Sequence, residues 1–170
     1  MKDHFVRFAH YNRWANRRLY GACAELGDAD YRARRPSFFG SIGATLNHIL
    51  VADRVWLERL GRGPSGVGAL DQILHDDLAG LDQARQAEDA RLIAYVESLD
   101  QSALAAIVGY RMMSAPFAGK DQHSPVHWIL GHMFNHQTHH RGQVHDQLSQ
   151  TKVAPPPLDL MFYLREVGAA

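Results

Sequence analysis

The chain has 170 residues, 18 basic against 18 acidic side chains, eleven histidines and a single cysteine. Zero formal net charge excludes a nucleic-acid binder that works through a broad basic face, and Cys23 alone excludes an internal disulfide or a cysteine-built zinc site. No apolar run approaches a membrane span, and charges interrupt the N-terminal MKDHFVRF where a signal peptide needs an apolar core. One cytoplasmic domain over residues 1–170 is therefore expected, with neither nucleic acid nor membrane as partner.

Residues 3–26 carry Phe5, Phe8, Ala15, Leu19, Ala22 and Leu26 at spacings of three and four. This predicts a helix, interrupted on its stripe by Asn12 and closed by Gly27. Residues 28–40 read as irregular, with Arg32, Arg34 and Arg35 as a solvated cluster. Ser41 is placed to cap a second helix over 42–60, ended by Gly61. Its buried arc is Ile42, Leu46, Ile49, Trp56 and Leu60. His48 stands on a shoulder of that arc. Asp53 projects into it and needs a partner, either an arginine or a ligand histidine, because an unpaired buried carboxylate is costly. A structural ion pair and a catalytic role both fit.

GRGPSGVG at 61–68 is a linker. A third helix is predicted over 70–99, with Leu70, Leu74, Leu78, Leu81, Leu92, Tyr95, Val96 and Leu99 inward and the charged stretch Asp82 to Arg91 in solvent. Residues 103–121 lose the helical period. Gly109, Pro116 and Gly119 suggest a long excursion with a short hairpin, long enough to wall a pocket. Met112, Met113 and Phe117 would supply its apolar surface, and Tyr110 or Arg111 would hold a polar end. A short final helix over 158–166 follows the prolines at 155–157.

Seven of the eleven histidines fall between Gln122 and Leu148. Ser124 as cap and Pro125 at the first helical position predict that this stretch is one long helix. At about 100° per residue, Val126, Leu130, Met133, Phe134, Val144 and Leu148 form one apolar arc. His136 and His140 sit on its near shoulder, one turn apart. His132 and His139 lie further toward water, and His127 and His145 on the opposite side. The i, i+4 spacing lets His136 and His140 reach one metal ion, and His48 is the best third ligand elsewhere. Three neutral imidazoles leave open positions on a divalent ion. Such an ion lowers the pKa of bound water or binds a thiolate. Zinc or nickel suits imidazole best, with iron and manganese also compatible. Gln143 falls beside the ligands and, with Asp53, is a candidate to assist chemistry there. Arg141 falls at the far side of the arc and calls for a carboxylate partner such as Asp53.

The pattern H-x-x-x-x-D-x-x-W at His48, Asp53 and Trp56, then N-H-x-x-H-H-R-G-Q from Asn135 to Gln143, resembles the DinB-like family of DNA-damage-inducible proteins and the YfiT-like metal-dependent hydrolases. H-Y-N-R-W-A-N at His10 to Asn16 is similar to the same family. The resemblance implies an all-α fold, an up-down-down-up four-helix bundle with a long irregular excursion before the last long helix. It implies a divalent metal on His48, His136 and His140, the same three residues that the helical geometry selects. It also implies a small-molecule substrate, with low-molecular-weight thiol transfer or hydrolysis as the reaction. A non-catalytic metal- or small-molecule-binding stress protein, or a structural metal in a dimeric bundle, is the alternative. His132 and His139 are extra histidines near the site. With Tyr11, Trp14 and Tyr20 giving the first helix apolar surface on more than one side, a homodimer is expected.

Overall fold

Ser41 does what its position predicts: its hydroxyl accepts the Ala44 N–H at 3.1 Å and starts a helix. The computed structural model describes residues 1–169. Among them are four long helices, α1 (Lys2–Cys23), α3 (Ile42–Arg59), α4 (Leu78–Ser98) and α6 (Val126–Ser149). Three short helices accompany them: α2 (Asp28–Arg32), α5 (Gln101–Ala105) and α7 (Leu160–Glu166). Strands β1 (Ile107–Arg111) and β2 (Asp121–Pro125) form an antiparallel hairpin, with Ile107 opposite Pro125 and Arg111 opposite Asp121. No helix of the described residues is long and apolar enough to cross a membrane.

The long helices pack in a closed circuit, α1 on α4 and α6, and α3 on α6 and α4. Their contacts run in definite senses. Along α1 and α4, His10 meets Glu97 and Asn16 meets Asp89. Along α3 and α6, Thr45 meets Gln147 and Asp53 meets Gln137. Along α1 and α6, Phe8 meets Phe134 and Asn12 meets Arg141. Two large apolar cores result between these helices, beside a small third cluster of Tyr11, Ala15 and Tyr163. One gathers Phe5, Leu57, Leu92, Val96, Leu130 and Phe134; the other gathers Leu19, Ile42, Leu46, Leu81, Val144 and Leu148. Each fully buried leucine contributes roughly 2 kcal/mol of transfer free energy.

Between the two cores, every long helix contributes buried polar residues: Asn12 and Asn16, Asp53, Arg85 and Asp89, Gln137 and Arg141. This overturns the expectation that Asp82 to Arg91 is solvated. Arg85, Glu88 and Asp89 are all buried, and Arg85 is 1% exposed. Arg85 Nη1 lies 2.7 Å from Asp53 and Nη2 3.0 Å from Asp89. Arg141 does not pair with Asp53 as expected. It donates instead to Asn12, to Asn16 at 3.3 Å and to Gln137 at 3.0 Å.

Other boundaries also differ from expectation. α1 ends at Cys23, and Gly27 precedes α2 rather than closing α1. α4 starts at Leu78, after Asp77 accepts the Gly80 N–H at 2.8 Å. Leu70 and Leu74 keep helical spacing but belong to a loop strapped to α3. The strap is Asn47, whose Oδ1 accepts from the Leu74 and His75 N–H groups at 2.8 and 3.0 Å. Its Nδ2 donates to the His75 carbonyl at 3.0 Å. Ser124 lies in β2, its hydroxyl 3.0 Å from that of Tyr110, and does not cap α6. α7 covers the aromatic flank of α1: Tyr163 packs on Tyr11 and Trp14, and the Tyr11 hydroxyl donates to the Leu158 carbonyl at 2.7 Å.

Candidate metal centre

α3 and α6 lie side by side, so residues far apart in sequence face one another. His48 on α3 meets His136 and His140 on α6, and one ring nitrogen from each lies within 4.8 Å of the others. The Nε2 atoms of His48 and His136 are 3.2 Å apart. Two nitrogens bound tetrahedrally at about 2.0–2.1 Å from one ion would be roughly 3.3 Å apart, so the His48–His136 pair matches a zinc-sized cation, with the His140 nitrogen inside the same 4.8 Å group.

The tautomers support the same use. His48 Nδ1 is 2.7 Å from the Leu70 carbonyl, and His140 Nδ1 is 2.7 Å from Gln143 Oε1. Those oxygens can only accept, so both Nδ1 atoms carry the proton and both Nε2 atoms present a lone pair. Such bonds hold a ligand imidazole in orientation. The loop strapped by Asn47 thus presents the carbonyl that fixes His48. Burial lowers the pKa of His48 below the ordinary histidine value, with the Leu70 contact opposing. Burial and the neighbouring imidazoles press His136 down to about 3. Burial takes His140 down to about 4, opposed by its bond to Gln143. All three rings are neutral near pH 7, the state that binds cations.

The remaining candidates divide. Gln143 touches the cluster through His140, as its position beside the ligands suggested, and its amide nitrogen stands 3.2 Å from the exposed His139. His132 flanks His136 with ring centroids 5.6 Å apart and packs against Trp56. His127 and His145 bond to the backbone carbonyls of Leu104 and Pro156. Asp53 is not brought to the cluster's open side. It is 1% exposed, paired with Arg85 and accepting from Gln137.

The cluster forms one wall of a cavity of about 720 Å³. Tyr110, Met112 and Met113 of the 103–121 excursion line it as expected, but Arg111 and Phe117 do not. Sequence reasoning missed its other walls. Phe38 and Phe39 come from the loop before α3, and Leu70 and Asp71 from the strapped loop. Phe39 stacks on the His48 ring at 4.0 Å. A pair of aromatics between Pro36 and Gly40 was the available signal, since an exposed loop seldom spends two large apolar side chains without a surface to cover.

A largely helical protein with three convergent imidazoles at the wall of an apolar cavity is the class that fold and site define. The sequence matches the DinB family over residues 1–167. Protein DinB of Bacillus subtilis (strain 168) is 28% identical over 173 aligned positions, covering 96% of this chain and 95% of that protein. A solved DinB-like protein from Bacillus cereus shares the fold with a TM-score of 0.65 at 20% identity, over 88% of this chain and 94% of that one. The chain belongs to the DinB family.

Proposed function

We propose that this protein holds one divalent metal ion, zinc or nickel, through His48, His136 and His140, and uses it to transfer a low-molecular-weight thiol or to hydrolyse a small substrate. The observation that carries the reading is the convergence of three neutral, oriented imidazoles on the wall of a cavity large enough for a small molecule. A divalent ion held there supplies Lewis acidity, which favours thiolate over thiol at neutral pH. The chain's own residues do the rest. Leu70 and Gln143 orient the rings, and Phe39 shields one side of His48 beside a largely apolar cavity wall. The up-down-down-up course of the four long helices belongs to the same proposal, supported by the senses in which the helices meet. So does a homodimer.

Metal analysis of the purified chain, joined to a thiol-transfer screen against a panel of electrophiles, tests the reading. One ion per chain is expected, lost in His136→Ala, with transfer abolished by chelator while the fold persists. Stoichiometric metal retained by His136→Ala would remove the assignment, and a chelated protein that reacts as fast as the metal form would remove the chemistry.

A further inference from the structure

One cation lines the cavity, and most of its donors are left without an acceptor. Among the residues that line the cavity, Arg59 is the only arginine or lysine. Its guanidinium lies 4.4 Å from the Trp56 ring centroid and 5.1 Å from that of Tyr110. Nη2 donates to the Arg111 carbonyl at 2.8 Å. Among the described residues, Nε and Nη1 find no hydrogen-bond acceptor, and no carboxylate comes within ion-pair distance of Arg59. The nearby acids are engaged or distant: Glu58 takes the Ser65 hydroxyl, Asp121 sits 3.8 Å from Arg111, and Asp71 stands by His48. A half-buried cation without a counter-charge is costly unless something binds it. Two aromatic faces hold it in place, so a partner would lose little rotamer freedom on docking.

Position along α3 sets the shape of that partner. Arg59 lies three turns from His48, about 16 Å along the helix axis. The wall between them is mainly apolar, made by Ala52, Val55, Trp56 and Ile129, with the His132 imidazole beside Trp56. We propose that the cavity takes an elongated, largely apolar molecule ending in a carboxylate, with the carboxylate on Arg59 and the opposite end at the three-histidine cluster. The planar guanidinium matches a carboxylate in a way that a neutral polar group cannot. The proposal rests on reading the cavity as the ligand site of the proposed function, but the Arg59 end does not need the metal.

Decanoate and decan-1-ol share a chain and differ in the charge of one end. Their binding to the full-length protein, followed by tryptophan fluorescence and calorimetry with and without bound zinc, isolates the Arg59 contribution. Decanoate is expected to bind at least tenfold more tightly than the alcohol in both forms, with the gap narrowing in high salt. Arg59→Gln should erase the gap and leave decan-1-ol affinity unchanged. Should that variant lower the melting temperature, Arg59→Lys gives the same reading, with a several-fold smaller gap expected. Equal affinities in the wild type, a gap undiminished by either substitution, or a gap seen only with zinc bound would each overturn the proposal. Failure of the metal assignment is distinguishable: His136→Ala would then keep its metal, while the Arg59 gap would be untouched.

Discussion

Burial acts on the candidate ligands before any ion reaches them. In the unfolded chain a histidine takes up a proton as pH falls through about 6.5. In the folded chain His136 resists until about 3 and His140 until about 4. A depressed histidine pKa means that the unfolded state binds more protons across that window. The stability these rings contribute is therefore full above about 6.5 and falls as pH drops toward the folded values. Asp53, raised by burial to about 7, works in the opposite sense over this window. The histidine contribution is therefore read from the metal-free wild type against His136→Gln, as the change in denaturation midpoint between pH 7.5 and pH 4.5. The variant, which has no ring proton to take up, should fare better than the wild type as pH falls over that range. Equal pH dependence in the two chains would mean that the His136 ring is not desolvated as described.

At the scale of elements, the loop over 70–77 shows where sequence periodicity misleads. Leu70 and Leu74 repeat at helical spacing and extend the stripe of α4 backwards, so the pattern predicts helix. Asn47, reaching from α3, takes the N–H groups of Leu74 and His75 and the carbonyl of His75, bonds that a helix would otherwise make within itself. No local rule reveals a competitor from 27 residues away. Ser41 was legible because its work is done within three residues, and the pair His136 and His140 because one turn of helix sets their spacing. Ser41→Ala should cost about 1 kcal/mol, read from the shift in denaturation midpoint. Asn47→Ala is predicted to weaken metal binding about tenfold or more, although Asn47 touches no ring nitrogen of the cluster, because the carbonyl that orients His48 rides on the strapped loop. A competitive chelator titration measures this; unchanged affinity would mean that the loop does not position His48.

The whole molecule is built on two large apolar cores divided by a polar layer, and the layer was the least legible part of the fold. A helical wheel counts apolar residues and sends Arg85 and Asp89 to solvent. Their burial makes sense only when Asp53 and Asn16, from two other helices, arrive at the same level. The layer matches polar partners at one height on all four helices, and a slide of any helix by one turn would bury charges without counterparts. Arg85→Met should destabilise by about 3–5 kcal/mol, because it leaves Asp53 and Asp89 buried without their cation, and adding Asp53→Leu should recover part of the loss. Urea denaturation of the single and double variants measures both, and additive losses would exclude the coupling. The aromatic flank of α1 that suggested a dimer is covered by α7, while Met161, Phe162 and Val167 of that segment stay exposed. The proposed homodimer should give twice the chain mass by light scattering at micromolar concentration, and a monomer mass would exclude it.

His48 and His136 are separated by 88 positions, and they meet only because α6 closes against α3. A chain growing on a ribosome therefore exposes His48 long before its two partners exist. While α6 is still unmade, a lone imidazole on α3 has no chelate with which to compete for a trace cation against the cell's other ligands. The proposed centre can be loaded only after α6 has emerged and closed against α3. The ion would then act as a clasp between α3 and α6, fastened once both helices are made and packed, rather than a seed around which folding begins.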